Sequence, residues 1–246
     1  MIIYRNFTGG EWVESSSHKT IQNLNPANTG DVIGTVKFST RDEAQKAVEA
    51  AYDAFRGWKN TPAPTRGRIV AKAARLLEDN KEDLAQILTR EEGKTIGESR
   101  GEVQRAINVA EFCAGEAGRL NGETIRSELP ANFAYPIKQP HGVVALITPW
   151  NFPVAFPVWK IAAALVAGNT IIFKPAESTP ATAMRIVEIF AEAGVPKGVL
   201  NLILGKGSQI GEEIANHAAV KIRGGTIQGC RTSVQPCRVI RKSETI

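Results

Sequence analysis

The chain has 246 residues, 43% hydrophobic and 22% charged, the composition of an ordinary globular protein with room for a core. No run approaches the ~18 apolar residues of a membrane span, and the opening Met1-Ile2-Ile3-Tyr4-Arg5-Asn6 has neither signal- nor transit-peptide character. The net charge of +5 belongs to one end: six basic side chains and one acid, Glu244, between 221 and 246 account for all of it, and residues 1–220 are neutral. A basic tail can be a nucleic-acid arm. This one lacks the interleaved aromatic residues of a stacking platform, so neither nucleic acid nor membrane is an expected partner. Cys113, Cys230 and Cys237 are spaced too irregularly for a disulfide framework or a zinc site, so no metal and a reducing, cytoplasmic setting are expected.

In chain order, residues 1–38 read as strands, with Gly9-Gly10 as a hairpin loop and Asn25-Pro26-Ala27-Asn28-Thr29-Gly30 as a turn. Thr40 and Glu43 form a capping box ahead of a helix striped by Ala44, Ala47, Val48, Ala51 and Phe55. Pro62 and Pro64 interrupt it. A second helix is predicted from near Thr65, carrying Ile69, Val70, Ala73 and Leu77, and helix continues through Leu84 and Leu88 to a break at Gly93-Lys94. Val103, Ile107, Ala110 and Cys113 stripe a further helix, which makes Cys113 a core residue rather than a nucleophile.

From Gly142 strands and helices alternate. Val143-Val144-Ala145-Leu146-Ile147 and Thr170-Ile171-Ile172-Phe173 are short, β-branched and apolar, as buried strands are. Residues 154–166 read as a helix. Thr179-Pro180 reads as a cap and first position for a helix ending at Gly194. Val199–Leu204 is a third strand, and Gly205 to Gly211 opens a helix to about His217. Three strands joined by helices predict an open, parallel, twisted sheet with ligands beyond its carboxyl edge.

Three groups of residues sit at that edge. Lys174 directly follows a strand and Glu177 comes three residues later, a pair suited to ribose hydroxyls or to a plain solvated ion pair. Pro149 and Pro153 bracket Asn151, whose amide suits either a developing oxyanion or the capping of the next helix. Gly205-x-Gly207-x-x-x-Gly211 is a loose relative of the dinucleotide fingerprint; tight turning and helix–sheet packing explain it equally well.

Taken together, Trp150-Asn151-Phe152-Pro153, Lys160, Lys174-Pro175-Ala176-Glu177 and Gly207-x-x-x-Gly211 resemble the aldehyde dehydrogenase superfamily in order and spacing. Asn25-Pro26-Ala27 and Gly93-Lys94 match its amino-terminal half, so the resemblance covers residues 1 to about 220. Within the superfamily the look is nearest to bacterial 2,5-dioxovalerate (α-ketoglutaric semialdehyde) dehydrogenases. The resemblance implies NAD or NADP as cofactor, with Glu177 leaning toward NAD because a carboxylate repels a 2′-phosphate. It implies oxidation of a small-molecule aldehyde, a semialdehyde acid, to a carboxylate. It makes Asn151 the oxyanion-hole amide and Lys160 a proton-relay group. Lys174 and Glu177 become ribose ligands, Ile147, Thr148 and Trp150 the cleft lining, and Gly207 and Gly211 the border of the adenine side. Residues 124–141 match an arm used in subunit pairing, so the full-length form is expected to be a homo-oligomer.

The resemblance stops near Val220. The family continues with a Phe-Thr-Gly-Ser stretch, a Glu-Leu-Gly-Gly-Lys motif that supplies the base, and then a nucleophilic cysteine. None of these occurs here, and neither Cys230, Cys237 nor Glu244 has the family's flanking residues. The abrupt change of composition resembles a shift of reading frame; a natural basic extension is the other reading. The expected fold is α/β. It comprises a strand/helix segment (1–123), an oligomerisation arm (124–141), a partial Rossmann-like parallel sheet (142–220) and an aberrant, disordered basic tail (221–246), truncated relative to the family. Lacking nucleophile and base, the chain alone is expected to be inactive. The rival functions are a nucleotide-binding module without turnover and a nucleic-acid-associated protein acting through the tail.

Overall fold

A computed structural model describes residues 2–225. The amino-terminal strands are β1 (Ile3–Tyr4), β2 (Asn6–Thr8), β3 (Glu11–Val13), β4 (Thr20–Asn25) and β5 (Asn28–Lys37). Gly9 and Gly10, both at positive φ, turn β2 into β3 as an antiparallel hairpin. Four helices follow: α1 (Arg41–Lys59), α2 (Ala63–Asp79), α3 (Lys81–Glu92) and α4 (Ile96–Glu116). The Thr40–Glu43 capping box forms as expected, with the Glu43 amide 3.2 Å from the Thr40 hydroxyl and the Thr40 amide 2.8 Å from the Glu43 carboxylate. α2 starts at Ala63, earlier than expected, because Pro64 sits in its first turn, where a missing N–H costs nothing.

A short exposed hairpin, β6 (Ile125–Arg126) with β7 (Phe133–Ala134), leads to the alternating half: β8 (Val143–Ile147), α5 (Ala155–Val166), β9 (Thr170–Lys174), α6 (Pro180–Glu192), β10 (Leu200–Leu202), α7 (Glu212–Asn216) and β11 (Val220–Gly225). The main sheet runs β11-β8-β9-β10-β2-β3. It differs from the expected three parallel strands at both edges. β11 adds a fourth parallel strand beside β8, so residues 221–225 belong to the sheet and not to a disordered tail. β2 pairs antiparallel with β10, which makes the sheet mixed. The rest of the tail, with Cys230, Cys237 and Glu244, lies outside the described residues.

Alternation along the strands divides the core. Val144, Leu146, Ile171 and Phe173 face α5 and α6, with α2 and α4 layered behind; Val143, Ala145 and Ile172 face α1 and α7. The parallel order β10-β9-β8-β11 reverses direction between β8 and β11. In a doubly wound sheet that switch point opens the crevice where ligands bind, beyond the carboxyl ends of the strands. Among the described residues, no helix is long and apolar enough to cross a membrane.

Candidate active site and its support

β8 and β9 end side by side. Ile147 pairs with Lys174, and the Thr148 amide donates to the Lys174 carbonyl at 3.1 Å. The Thr148 hydroxyl is buried and has no partner among the described residues. The Lys174 side chain is 3% exposed and donates to the Pro175 carbonyl at 2.9 Å. Burial pushes its ammonium down to about 8, while the Glu177 charge pulls the other way. Glu177 accepts from the Gly207 amide at 2.9 Å. The same edge therefore brings together three of the residues singled out in the sequence: Lys174, Glu177 and Gly207.

The three glycines of the turn after β10 differ in what surrounds them. Gly207 and Gly211 begin and end a π-helical turn, and neither has positive φ. A Cβ at Gly207 would meet only the end of Lys174, at 3.9 Å, and a Cβ at Gly211 would meet nothing within 4 Å. Gly205 is the packing glycine, because a Cβ there would lie 3.0 Å from Ile210 and 3.1 Å from the Ser39 amide. The open space at Gly207 and Gly211 fits a group that approaches the backbone closely.

Past β8, the loop carrying Trp150 and Asn151 is exposed, Trp150 by 59%. Asn151 does not cap α5. The first free amides of that helix, Val154 and Ala155, donate at 2.8 and 3.0 Å to Glu102, a buried carboxylate on α4. The Asn151 side-chain amide has no partner among the described residues, whereas the backbone carbonyl of Asn151 accepts from Lys94 Nζ at 2.6 Å. Phe152 packs on Phe156 with ring centroids 5.3 Å apart, and Phe156 on Trp159 at 5.5 Å. Lys160, partly buried on α5, points its ammonium toward Gly224 of β11, 4.0 Å from where a Cβ there would lie. Asn151 and Lys160 thus flank the switch point, while Lys174, Glu177 and Gly207 lie on its β9–β10 side.

The sequence model described as "Aldehyde dehydrogenase family" matches residues 12–231. The chain belongs to the aldehyde dehydrogenase family. It is 42% identical over 224 residues to 2,5-dioxopentanoate dehydrogenase of Saccharolobus solfataricus, covering 90% of this chain and 47% of that one. It is also 42% identical over 217 residues to alpha-ketoglutaric semialdehyde dehydrogenase of Bacillus subtilis, covering 88% and 44%. The crystal structure of betaine aldehyde dehydrogenase from Staphylococcus aureus in complex with NAD+ superposes with a TM-score of 0.87 at 40% identity, over 90% of this chain and 44% of that one. The chain spans under half the length of these relatives.

One expected cap does not form in this aldehyde dehydrogenase family chain. Thr179 precedes α6, but its hydroxyl is unpartnered; the Ala181 and Thr182 amides donate instead to Glu91 of α3, at 2.7 and 2.9 Å. Glu91 and Glu102 carry no local signal, since the backbone amides they accept from lie 52 to 91 residues away, and nothing near Gly93-Lys94 marks the Asn151 carbonyl, 57 residues on, as a partner of that lysine. Cys113 lies on the buried stripe of α4, and burial pushes its thiol up, away from reactivity.

Proposed function

We propose that this chain is the cofactor-binding portion of an NAD- or NADP-dependent oxidoreductase acting on a semialdehyde acid. The observation that carries the reading is the convergence of Lys174, Glu177 and Gly207 at the carboxyl edge of the parallel strands, with open space above Gly207 and Gly211. A dinucleotide's phosphates often rest on a helix N-terminus. Here the first turns of α5 and α6 are already occupied by Glu102 and Glu91, which directs the cofactor toward the glycine turn after β10.

In this reading Lys174 and Glu177 hold the adenosine ribose hydroxyls. Gly207 and Gly211 leave room for the adenine side, and Ile147, Thr148 and Trp150 line the cleft. The nicotinamide, when bound, supplies the hydride acceptor. The Asn151 amide, free of internal partners, donates to the oxygen of the reacting carbonyl as negative charge develops there. Lys160 relays a proton at the switch point. Glu177 favours NAD by repelling a 2′-phosphate. Residues 124–141 serve subunit pairing in a cytoplasmic homo-oligomer, a use that fits the exposed apolar side chains Ile125, Leu129, Phe133, Tyr135 and Ile137. No cysteine stands in the family's nucleophile context, so the 246 residues bind cofactor without turning over aldehyde.

Titration of the chain with NAD+ and with NADP+ tests this. NAD+ should bind the more tightly, and Lys174→Ala and Glu177→Ala should each weaken it about 10-fold, the worth of a lost hydrogen bond. Absence of binding, or binding indifferent to both substitutions, would refute the reading. NADH absorbance with a panel of semialdehydes should stay flat. Turnover that vanished in Cys230→Ala or Cys237→Ala would make one of those thiols the nucleophile.

A further inference from the structure

Lys94 and Glu102 form an ion pair whose further hydrogen bonds go to a single loop. Lys94 Nζ lies 2.5 Å from Glu102 Oε2, and the Glu102 side chain is 2% exposed. A second carboxylate, Glu92, sits 3.1 Å from the same ammonium as an ion contact without hydrogen-bond alignment. An ammonium has three donors. This one directs another of them to the carbonyl of Asn151 and stands 4.3 Å above the ring of Phe152. The second oxygen of Glu102 takes the amides of Val154 and Ala155. Between them the two side chains hold residues 151, 152, 154 and 155, the whole stretch from the free amide of Asn151 to the first turn of α5.

We propose that Lys94 and Glu102 are positioning residues that orient the Asn151 side chain toward the cleft. This rests on the reading of Asn151 as the carbonyl-facing amide. The argument is geometric. Asn151 is exposed, and its side chain has no partner among the described residues to fix it. Its direction therefore follows from its own backbone, and Lys94 grips that backbone at the residue itself. Pro149 and Pro153 stiffen the loop from either side of Asn151. A buried pair serving stability alone would close on itself. This pair is built into α4 and the turn before it, yet it presents a donor and an acceptor to the loop after β8. Catalytic hydrogen-bond donors act through orientation, and a donor displaced by ~1 Å loses much of its effect.

The test uses the 246-residue chain labelled with 15N-asparagine, without cofactor or turnover. It therefore stands or falls separately from the titrations above. The side-chain NH2 pair of Asn151 is assigned by its loss in Asn151→Asp. In Lys94→Met that pair should shift and broaden, while the pairs of Asn23 and Asn169, held elsewhere, stay in place. Lys94→Arg, which keeps a cationic donor, should restore it. In uniformly 15N-labelled chain, Glu102→Ala should speed amide exchange at Val154 and Ala155 at least ~10-fold relative to Ile172 in the core. Glu102→Gln keeps an oxygen for those amides and should preserve their protection while releasing Asn151. If Glu102→Ala does not fold, Glu102→Gln and Lys94→Met carry the test. An Asn151 pair unmoved in Lys94→Met would overturn the proposal. A change shared equally by Asn23, Asn169 and the core amides would overturn it too, since that is the mark of a general loss of stability.

Discussion

Two of the three crossovers of the parallel sheet, β8 to α5 and β9 to α6, enter their helices without a capping side chain of their own. Val154 has no capping side chain, and the Thr179 hydroxyl is unpartnered. In both cases a buried glutamate from the helical layer takes the first two amides: Glu102 for α5 and Glu91 for α6. The settings then diverge. Glu91 faces only neutral donors, adding the Thr182 hydroxyl at 2.5 Å and the Asn23 amide at 2.6 Å, and so ties α6 to strand β4. Glu102 faces a cation that reaches on to the Asn151 loop. One device is used in two ways, closed where the crossover is structural and extended where it borders the candidate site. Both glutamates also fill helix N-termini that would otherwise attract anions.

The sharpest way to break this comparison is to remove Glu91. Glu91→Ala leaves the Ala181 and Thr182 amides and the Thr182 hydroxyl without their acceptor and takes from the Asn23 side-chain amide its shorter hydrogen bond, each lost partner worth ~1–3 kcal/mol. We expect a loss of at least ~3 kcal/mol in urea unfolding, and a smaller loss for Glu102→Ala, whose loop is more accessible to water. Equal losses would mean that the two glutamates do the same job.

The pH dependence of Glu91 sharpens it further. Burial raises its carboxyl to about 7, against the pull of its Thr182, Ala181 and Asn23 hydrogen bonds. A carboxyl raised in the fold binds more protons there than in the unfolded chain between pH 4.5 and 7. Its contribution is complete below pH 4.5 and falls as pH rises through 7. Lys174 acts in another window. Its ammonium, lowered to about 8 from 10.5, costs stability below pH 8, and that cost is relieved as pH rises from 8 to 10.5. Lys174→Met should therefore stabilise the chain at pH 7 by ~2 kcal/mol, the expected penalty for keeping a charged group buried at the sheet's carboxyl edge. A destabilised Lys174→Met variant would show that the lysine serves the fold rather than a ligand.

What could be read in the sequence was local or periodic. The Thr40–Glu43 capping box, the Gly9-Gly10 hairpin and the apolar runs of β8 and β9 each declare themselves within a few residues, and each formed. Lys174 and Glu177 were legible because a strand places them at its end. β11 was not, because Val220 and Ile222 alone make too short an alternation to separate from a loop, and its partner β8 lies over 70 residues earlier. Glu91, Glu102 and the contact from Lys94 to the Asn151 loop were invisible for the same reason. A glutamate on an amphipathic helix reads as a solvated face until the fold brings another helix's first turn against it.

The smallest expected effect decides between the two readings of Asn151. Were it the N-cap of α5, Asn151→Ala would cost ~1 kcal/mol. Glu102 already satisfies that turn, and the Asn151 side chain is exposed and unpartnered among the described residues. Its removal should therefore change stability by no more than ~0.5 kcal/mol, the range of an ordinary surface substitution. The contact with Lys94 runs through the backbone carbonyl and survives the substitution. The same change in a longer form with nucleophile and base should reduce turnover ~10²–10³-fold, the worth of one oxyanion donor, with little effect on cofactor affinity. A stability loss near 1 kcal/mol with unchanged turnover would return Asn151 to a structural role. A near-silent melt with the large kinetic loss would place the function of the loop in the amide that nothing else in the described chain uses.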